Sequence, residues 1–396
     1  QLGVETTTAV TTGTDFDDAT VDLDMADANG ATSLTVDATD TNDTTNAVAL
    51  DTAGVETLTL DVADAAADHR FDLSAVTDTG ADDKNGSVTV DITGGKDDQV
   101  VQLDQFSGSD IDTINAGGLA SDLVMNGVGP AGIDVKTGSG NDTLIMTDAD
   151  DVLNAGDDDA STGTATDGDT LVLDASGTVG DQSARVDLTD TVDQVTKFLG
   201  VDNDDSVQVD FSNVDASSYT ADDVDLTGND DANELIGGTG DDFIAGNGGD
   251  DTISGGAGND TLDGGNGSGV TLNGDGGDDR FVVDGNATEK SVTINGGSGS
   301  DTLVLINVAD GGSEKVDLSG DLAGAGAVLD FNGDSETSFD TAPTSIENVD
   351  ASGAGDAIDL TGDGGNNTLI GGSGGDIITG GDGNDTLTGG AGADSF

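Results

Sequence analysis

Residues 237–263 read Gly237-Gly238-Thr239-Gly240-Asp241-Asp242-Phe243-Ile244-Ala245, then Gly246-Asn247-Gly248-Gly249-Asp250-Asp251-Thr252-Ile253-Ser254, then Gly255-Gly256-Ala257-Gly258-Asn259-Asp260-Thr261-Leu262-Asp263. Three units of nine residues follow one another without a gap. Each has glycine at its first and fourth positions, aspartate at the sixth and an apolar residue at the eighth. Tandem units in one frame argue against a flexible Gly-rich linker, in which the apolar residues would have no fixed phase.

Elementary chemistry assigns each position a task. Glycines at positions 1, 2 and 4 permit positive φ and a tight turn that exposes its carbonyls. The aspartate at position 6 turns a carboxylate back into that turn. Positions 7–9 form a minimal strand with one buried side chain, at Ile244, Ile253, Leu262, Ile378 and Leu387. Two units make one coil, so units 18 residues apart stack in parallel, as with Asp242 and Asp260 or Asp376 and Asp394. Stacked turns then gather carbonyls and carboxylates from two levels around one cavity. Calcium accepts six to eight such oxygens in flexible geometry. Without an ion the carboxylates repel, so folding is expected to be coupled to metal binding.

The candidate ligands are the first, third and sixth positions of each unit. In the first array these are Gly237, Thr239 and Asp242; Gly246, Gly248 and Asp251; and Gly255, Ala257 and Asp260. A second array over 371–396 contributes Gly371, Ser373 and Asp376; Gly380, Asp382 and Asp385; and Gly389, Ala391 and Asp394. Isolated units add Gly274 with Asp279, and Gly296 with Asp301. Asp142, in a unit that has lost its first glycine, is the weaker candidate. Gly269 and Asn367 stand where aspartate is expected, and Gly228–Ile236 is degenerate. These read as edge or capping turns with weaker or absent calcium sites.

The rest of the chain carries short strand signals: Ser33–Val36, Glu56–Val62, Phe71–Val76, Ser87–Ile92, Val100–Leu103, Asp112–Ile114, Leu123–Met125 and Ile133–Val135. All alternate apolar and polar residues and are rich in Val, Ile, Leu and Thr, with Gly, Asn and Asp between them. One exception is Asp190–Leu199, where Val192, Val195, Phe198 and Leu199 share a helical face and predict a short helix. A longer repeat of about 130–135 residues is also present. Val214-Asp215-Ala216-Ser217 returns at 349–352, Asp225-Leu226-Thr227-Gly228 at 359–362, Asp169–Leu173 at 301–305 and Val186-Asp187-Leu188 at 316–318. The expected organisation is a strand-rich region over 1–130, a solenoid module over 131–265 ending in the first array, and its repeat over 266–396. Duplication of this kind favours a quasi-one-dimensional stack.

Composition narrows the function. The 396 residues hold 81 acids against 9 Lys and Arg, a formal charge of −72. Seven of the acids are glutamate and the remaining 74 aspartate. A basic footprint for nucleic acid is missing, so none is expected as a partner. No apolar run is long enough for a transmembrane helix, so membrane insertion is not expected. With no cysteine there are neither disulfides nor thiolate sites. So many carboxylates need positive charge, and oxygen-only ligands select a hard cation, calcium or magnesium. Gln1 and the cut at Phe396, in mid-unit, suggest a piece of a longer or processed protein, and no signal peptide is visible in residues 1–30.

The nonapeptides resemble the RTX family. That resemblance implies an all-β, right-handed parallel β-solenoid or β-roll with calcium-filled glycine-rich turns, little helix, several bound Ca2+ ions, and type I secretion to the outside of a bacterium. Segments such as Val55–Leu60, Ile114–Leu119 and Ile346–Ser352 are similar in style to the RTX-type S-layer proteins of the Caulobacter kind. In that group the solenoid forms the lattice, calcium drives assembly, and a separate N-terminal part binds lipopolysaccharide. The resemblance thus implies self-association at the cell surface. It also implies a polysaccharide or lipopolysaccharide partner, held through a region with no clear counterpart here.

Catalysis is not expected. Nucleophile triads have only His69 to draw on, in what reads as a polar turn before a strand, and there is no His-Glu-x-x-His. Acid pairs such as Asp157-Asp158 carry no specificity among 74 aspartates. Three classes stay open: a self-assembling coat, sheet or filament; an adhesin that uses the roll as a spacer; and the calcium-folded export module of a larger secreted protein.

Overall fold

The computed structural model describes residues 8–11, 20–24, 33–37, 48–53, 57–62, 69–77, 88–94, 100–104, 111–126, 132–147, 149–156, 168–174, 183–190, 193–198, 201–202, 208–220, 222–284, 291–307, 314–318, 328–330 and 344–396. Among them every regular element is a β-strand, and nearly every strand pairing is parallel. The protein is an all-β parallel solenoid. It divides into two compact units, residues 1–175 with 190–214, and residues 176–189 with 215–396.

In the first unit one sheet stacks Thr8–Thr11, Ser33–Asp37, Thr57–Val62, Val88–Gly94, Ile111–Leu119, Asp134–Lys136, Val152–Asn154 and Gln208–Val209. A second stacks Thr20–Asp24, Val48–Ala53, His69–Thr77, Val100–Asp104, Asp122–Asn126, Thr143–Met146 and Thr170–Leu173. Consecutive strands alternate between the two sheets, as a coil with one strand per wall requires. Alternation in the sequence then decides what faces inward. Leu58, Val90, Ile114, Val135 and Leu153 occupy one register line and are fully buried. Phe71, Leu103 and Met125 form the facing line.

The second unit repeats the plan with shorter strands. Asp225, Phe243, Thr261, Arg280, Thr302, Asn348, Thr368 and Thr386 stand in register down one wall. Glu234, Thr252, Thr271 and Thr293 do so down another. The core is one residue deep on each side: Ile244, Ile253, Leu262, Phe281, Leu303, Leu369 and Ile378 are fully buried, while Leu387 is half-buried. Each buried Leu or Ile contributes roughly 1.5–3 kcal/mol.

Each of the eight strand signals of residues 33–135 coincides with a strand, with Ile133 just before its own and Glu56 and Ser87 outside the described residues. A few hydrogen bonds recur at corresponding positions of the long repeat. Tyr219 donates its N–H to Ala216 and Ala354 to Ala351, and Leu188 donates to Thr227 as Leu318 does to Thr361. Two expectations are overturned. Among the described residues the helix expected over 190–199 is not formed: Val195–Phe198 is a strand, paired antiparallel with Val201–Asp202, while Val192 and Leu199 lie outside the described residues. Its Val195 and Phe198 are fully buried, so tertiary burial of a β-branched segment overrides a weak 3.6-residue pattern. His69 opens the strand His69–Thr77 opposite Val101 and is not in a turn.

Candidate metal centre

The nonapeptide turns carry the site. Each sixth-position aspartate of the first array uses one carboxylate oxygen to bind the coil before it. The N–H of Val224 donates to Asp242 Oδ1, that of Asp242 to Asp260 Oδ1, that of Asp260 to Asp279 Oδ1 and that of Asp279 to Asp301 Oδ1, all at 2.8–2.9 Å. On the other wall Asn233 donates to Asp251 Oδ1 at 2.9 Å. The second array does the same from Ile358 to Asp376, Asp376 to Asp394 and Asn367 to Asp385. The acids therefore form a ladder of charge-assisted hydrogen bonds whose links are the main chain itself.

The first-position glycine owes its identity to that carboxylate. A Cβ on Gly246, Gly255, Gly274, Gly296, Gly371, Gly380 or Gly389 would lie inside 3.0 Å of the Oδ2 of the aspartate five residues on. At Gly237, Gly274 and Gly371 it would also meet the carbonyl of the first glycine of the next coil, Gly255, Gly296 and Gly389. Carboxylate and carbonyl oxygens from two levels thus crowd one place. Positive φ is instead found at positions 2 and 4, for example at Gly256 (105°) and Gly258 (124°). Of the three glycines expected to supply positive φ, the first supplies room.

The aspartates fall into two sets. Oδ2 of Asp242 accepts the N–H of Gly238 at 2.6 Å and Oδ2 of Asp376 that of Gly372 at 2.9 Å, so these two carboxylates are satisfied by protein. Oδ2 of Asp251, Asp260, Asp279 and Asp301 is buried with no hydrogen-bond partner. Burial pushes Asp251, Asp260 and Asp279 up to about 7, Asp242 up to about 6, and Asp301 upward. Four buried, orphaned anionic oxygens beside main-chain carbonyls are the donor set a hard divalent cation requires, so these residues fit calcium. Among the described residues no three Asp, Glu or His side chains converge on one point. The remaining oxygens around each ion would therefore have to come from carbonyls or water. Of the third positions, Thr239, Gly248, Ala257, Ser373 and Ala391 anchor their turns by donating N–H groups to the coil before.

Asp142, the weaker candidate, has the same posture in the first unit: its Oδ1 accepts the N–H of Leu123 at 2.6 Å, and its own N–H donates to Asp169 Oδ1 at 2.6 Å. Asp151 and Asp169 were not singled out from the sequence. Asp151 accepts the N–H groups of Gly132 and Ile133, and Asp169 continues the ladder. The return of 169–173 at 301–305 is the signal that could have found Asp169. A second ladder, at position 5, was also missed. Asp223 Oδ1 accepts the N–H of Asp241, Asp241 that of Asn259, Asn259 that of Asp278, and Asp278 that of Ser300. It is exposed and runs opposite to the buried ladder. Where Gly269 replaces the sixth-position acid, Asp250 accepts from the Ser268 hydroxyl and the N–H groups of Ser268 and Gly269, which hold its pKa down.

The family described as the RTX calcium-binding nonapeptide repeat matches this chain in four copies, at residues 227–262, 236–270, 286–305 and 361–396. Such repeats bind multiple Ca2+ ions, are typically structural and not enzymatic, and belong to proteins that are generally secreted or extracellular. No curated protein matches the chain.

Proposed function

We propose, for a chain that carries RTX calcium-binding nonapeptide repeats, that it is a structural, calcium-dependent self-assembling protein of the bacterial cell surface, forming an S-layer lattice or a related sheet or filament. The observation that carries the reading is continuity of plan. The first unit, outside every matched repeat, stacks the same two-walled coils and the same acid ladder as the second. A chain built as solenoid on both sides of residue 215 suits a building element better than a tag on another fold.

Calcium has two tasks in this reading. Within the chain it neutralises the orphaned carboxylates of Asp251, Asp260, Asp279 and Asp301, together with neighbouring carbonyls, and so couples folding to the ion. Between chains it bridges acidic faces that would repel at a charge of −72. The protein catalyses no reaction, and it leaves the cell before meeting millimolar calcium. The test is electron microscopy of the purified chain in millimolar calcium and after chelation. Ordered sheets or filaments that dissolve on chelation are expected. Dispersed particles in calcium that merely expand on chelation would reject assembly and favour an adhesin spacer or an export module.

A further inference from the structure

Among the described residues three large apolar side chains are exposed: Phe243 at 47%, Ile377 at 54% and the last residue, Phe396. The first two share a place. Each holds the seventh position of the first regular nonapeptide of its array. They stand 134 residues apart, the spacing at which Asp225-Leu226-Thr227-Gly228 returns at 359–362. Threonine fills the same position at Thr252, Thr261, Thr302, Thr368 and Thr386. One exposed apolar residue needs no explanation. The same one in both copies of a duplicated module does.

The neighbours of the two residues recur as well. In register with Phe243 stand Asp225 on the adjoining strand and Arg185 on the one beyond. In register with Ile377 stand Asp359 and then Lys315. Arg185 donates from Nε and Nη2 to Asp225 Oδ2 at 3.0 and 2.6 Å, and Lys315 lies 3.7 Å from Asp317. On its other side Phe243 is two strands from Arg280. Three of the nine Lys and Arg of the chain therefore flank two apolar side chains, each about 10 Å away at the usual strand spacing.

The two patches open in opposite directions. Phe243–Ala245 belongs to the eleven-stranded sheet and Ile377–Thr379 to the four-stranded one. Consecutive strands of the last coils alternate between these sheets: Asn348–Asp350, Thr368–Ile370 and Thr386–Thr388 in the first, Ile358–Thr361 and Ile377–Thr379 in the second. Phe243 and Ile377 thus lie on opposite walls of one unit.

Charge decides what can cover them. A second copy at −72 is repelled except where acid is locally cancelled, and Arg185 cancels Asp225 beside Phe243. The centre of a protein interface is apolar and poor in charge, with its ion pairs at the rim. Arg185 is itself mostly exposed and offers a cation to an acid-rich copy. A sugar ring is the poorer occupant: isoleucine replaces phenylalanine in the second module, so apolar bulk is kept and an aromatic stacking face is not.

We infer that Phe243 and Ile377, each with its neighbouring cation, are the points at which one copy of this chain docks on another. This rests on the reading that the chain assembles with itself in calcium. With one patch on each wall a copy joins two others, and the contact extends into an open row instead of closing as a pair. Calcium bridges the acids around each contact.

The test is sedimentation velocity and electron microscopy of the whole chain in millimolar calcium, for the wild type, Phe243→Thr, Ile377→Thr and the double variant. Threonine is the residue five other nonapeptides carry there, so circular dichroism and calcium uptake should match the wild type. Each single variant keeps one patch and should stop at pairs; the double variant should stay single. Assembly of the double variant equal to that of the wild type would overturn this inference and leave the parent reading intact, with calcium bridging alone. A wild type that stays single in calcium would overturn both. A double variant that assembles normally but no longer binds purified lipopolysaccharide would assign the patches to another partner and overturn the inference likewise. Loss of fold by the double variant in calcium would also overturn it, because the fold alone would then explain the two side chains.

Discussion

The main-chain N–H of Asp242 donates to the carboxylate of Asp260, one coil further along, at 2.8 Å, while the other oxygen of Asp260 is buried without a hydrogen-bond partner. One side chain thus holds the stack together with one atom and demands a cation with the other. The two demands can be separated by substitution.

Asp260→Asn keeps the acceptor for Asp242 and removes the charge. At the degenerate turns Asn233 and Asn367 keep only the bond inside the turn, their side-chain oxygens accepting the N–H groups of Asn229 and Asp363 four residues before. In chelator the variant should be more stable than the wild type, and in millimolar calcium less stable, by about 1–3 kcal/mol either way. Denaturant midpoints with and without calcium check the reversal of sign. Asp242→Asn, whose carboxylate is satisfied by Val224 and Gly238, should leave calcium stoichiometry unchanged.

Gly255→Ala places a methyl group against the Asp260 carboxylate and should cost at least the roughly 1–3 kcal/mol typical of overpacking. Gly364→Ala, where nothing lies within 4 Å, is the matched control and should be silent. Equal thermal midpoints for the two variants would show that the first-position glycine is not set by its carboxylate.

The pH dependence has a defined sign. Burial holds Asp251, Asp260 and Asp279 up at about 7 in the folded chain, against 3.8 for the unperturbed group. Between those values the folded state keeps protons the unfolded state has lost. Stability of the calcium-free chain is therefore fully present near pH 4 and is lost as the pH rises towards 7. Calcium must displace the same protons, so its affinity should fall as the pH drops below 7. Unfolding in chelator at pH 4.5 and 7.5 checks the first statement and titration calorimetry the second; a midpoint that rises with pH in chelator would contradict the assignment.

Ile253→Ala empties a fully buried position in a core one residue deep. The expected cost is about 2–5 kcal/mol. Because each coil touches only its neighbours, hydrogen exchange should rise in the strands Glu234–Ile236, Thr252–Ala257 and Gly269–Gly276 and far less at Thr368–Ile370.

Much of this was legible in the sequence because the chemistry is local. Period-two alternation placed the strands of residues 33–135, and fixed phase placed Ile244, Ile253 and Leu262 inside. Spacing of 18 put Asp260 beneath Asp242. What was not legible depended on neighbours in space. The Val195–Phe198 pattern suits either period, and only burial chose the strand. That Gly255 supplies room and not φ follows from where Asp260 turns. That Glu347 accepts the N–H of Asp301 could not be read without the register that sets Asn348 beside Thr302. Position 5 reads as unconstrained in any one unit, since its hydrogen bond goes to the next.

The buried ladder is indifferent to how much chain lies between its links. Asp242, Asp260, Asp279 and Asp301 are 18, 19 and 22 residues apart, yet their N–H to Oδ1 distances stay at 2.8–2.9 Å. The acids thus act like the pegs of a tuning rack, keeping pitch while the string between them is lengthened. Extra residues between pegs leave the rungs at their length, so foreign peptides inserted between two pegs should enter one coil at a time, at a known spacing, with the ladder unchanged.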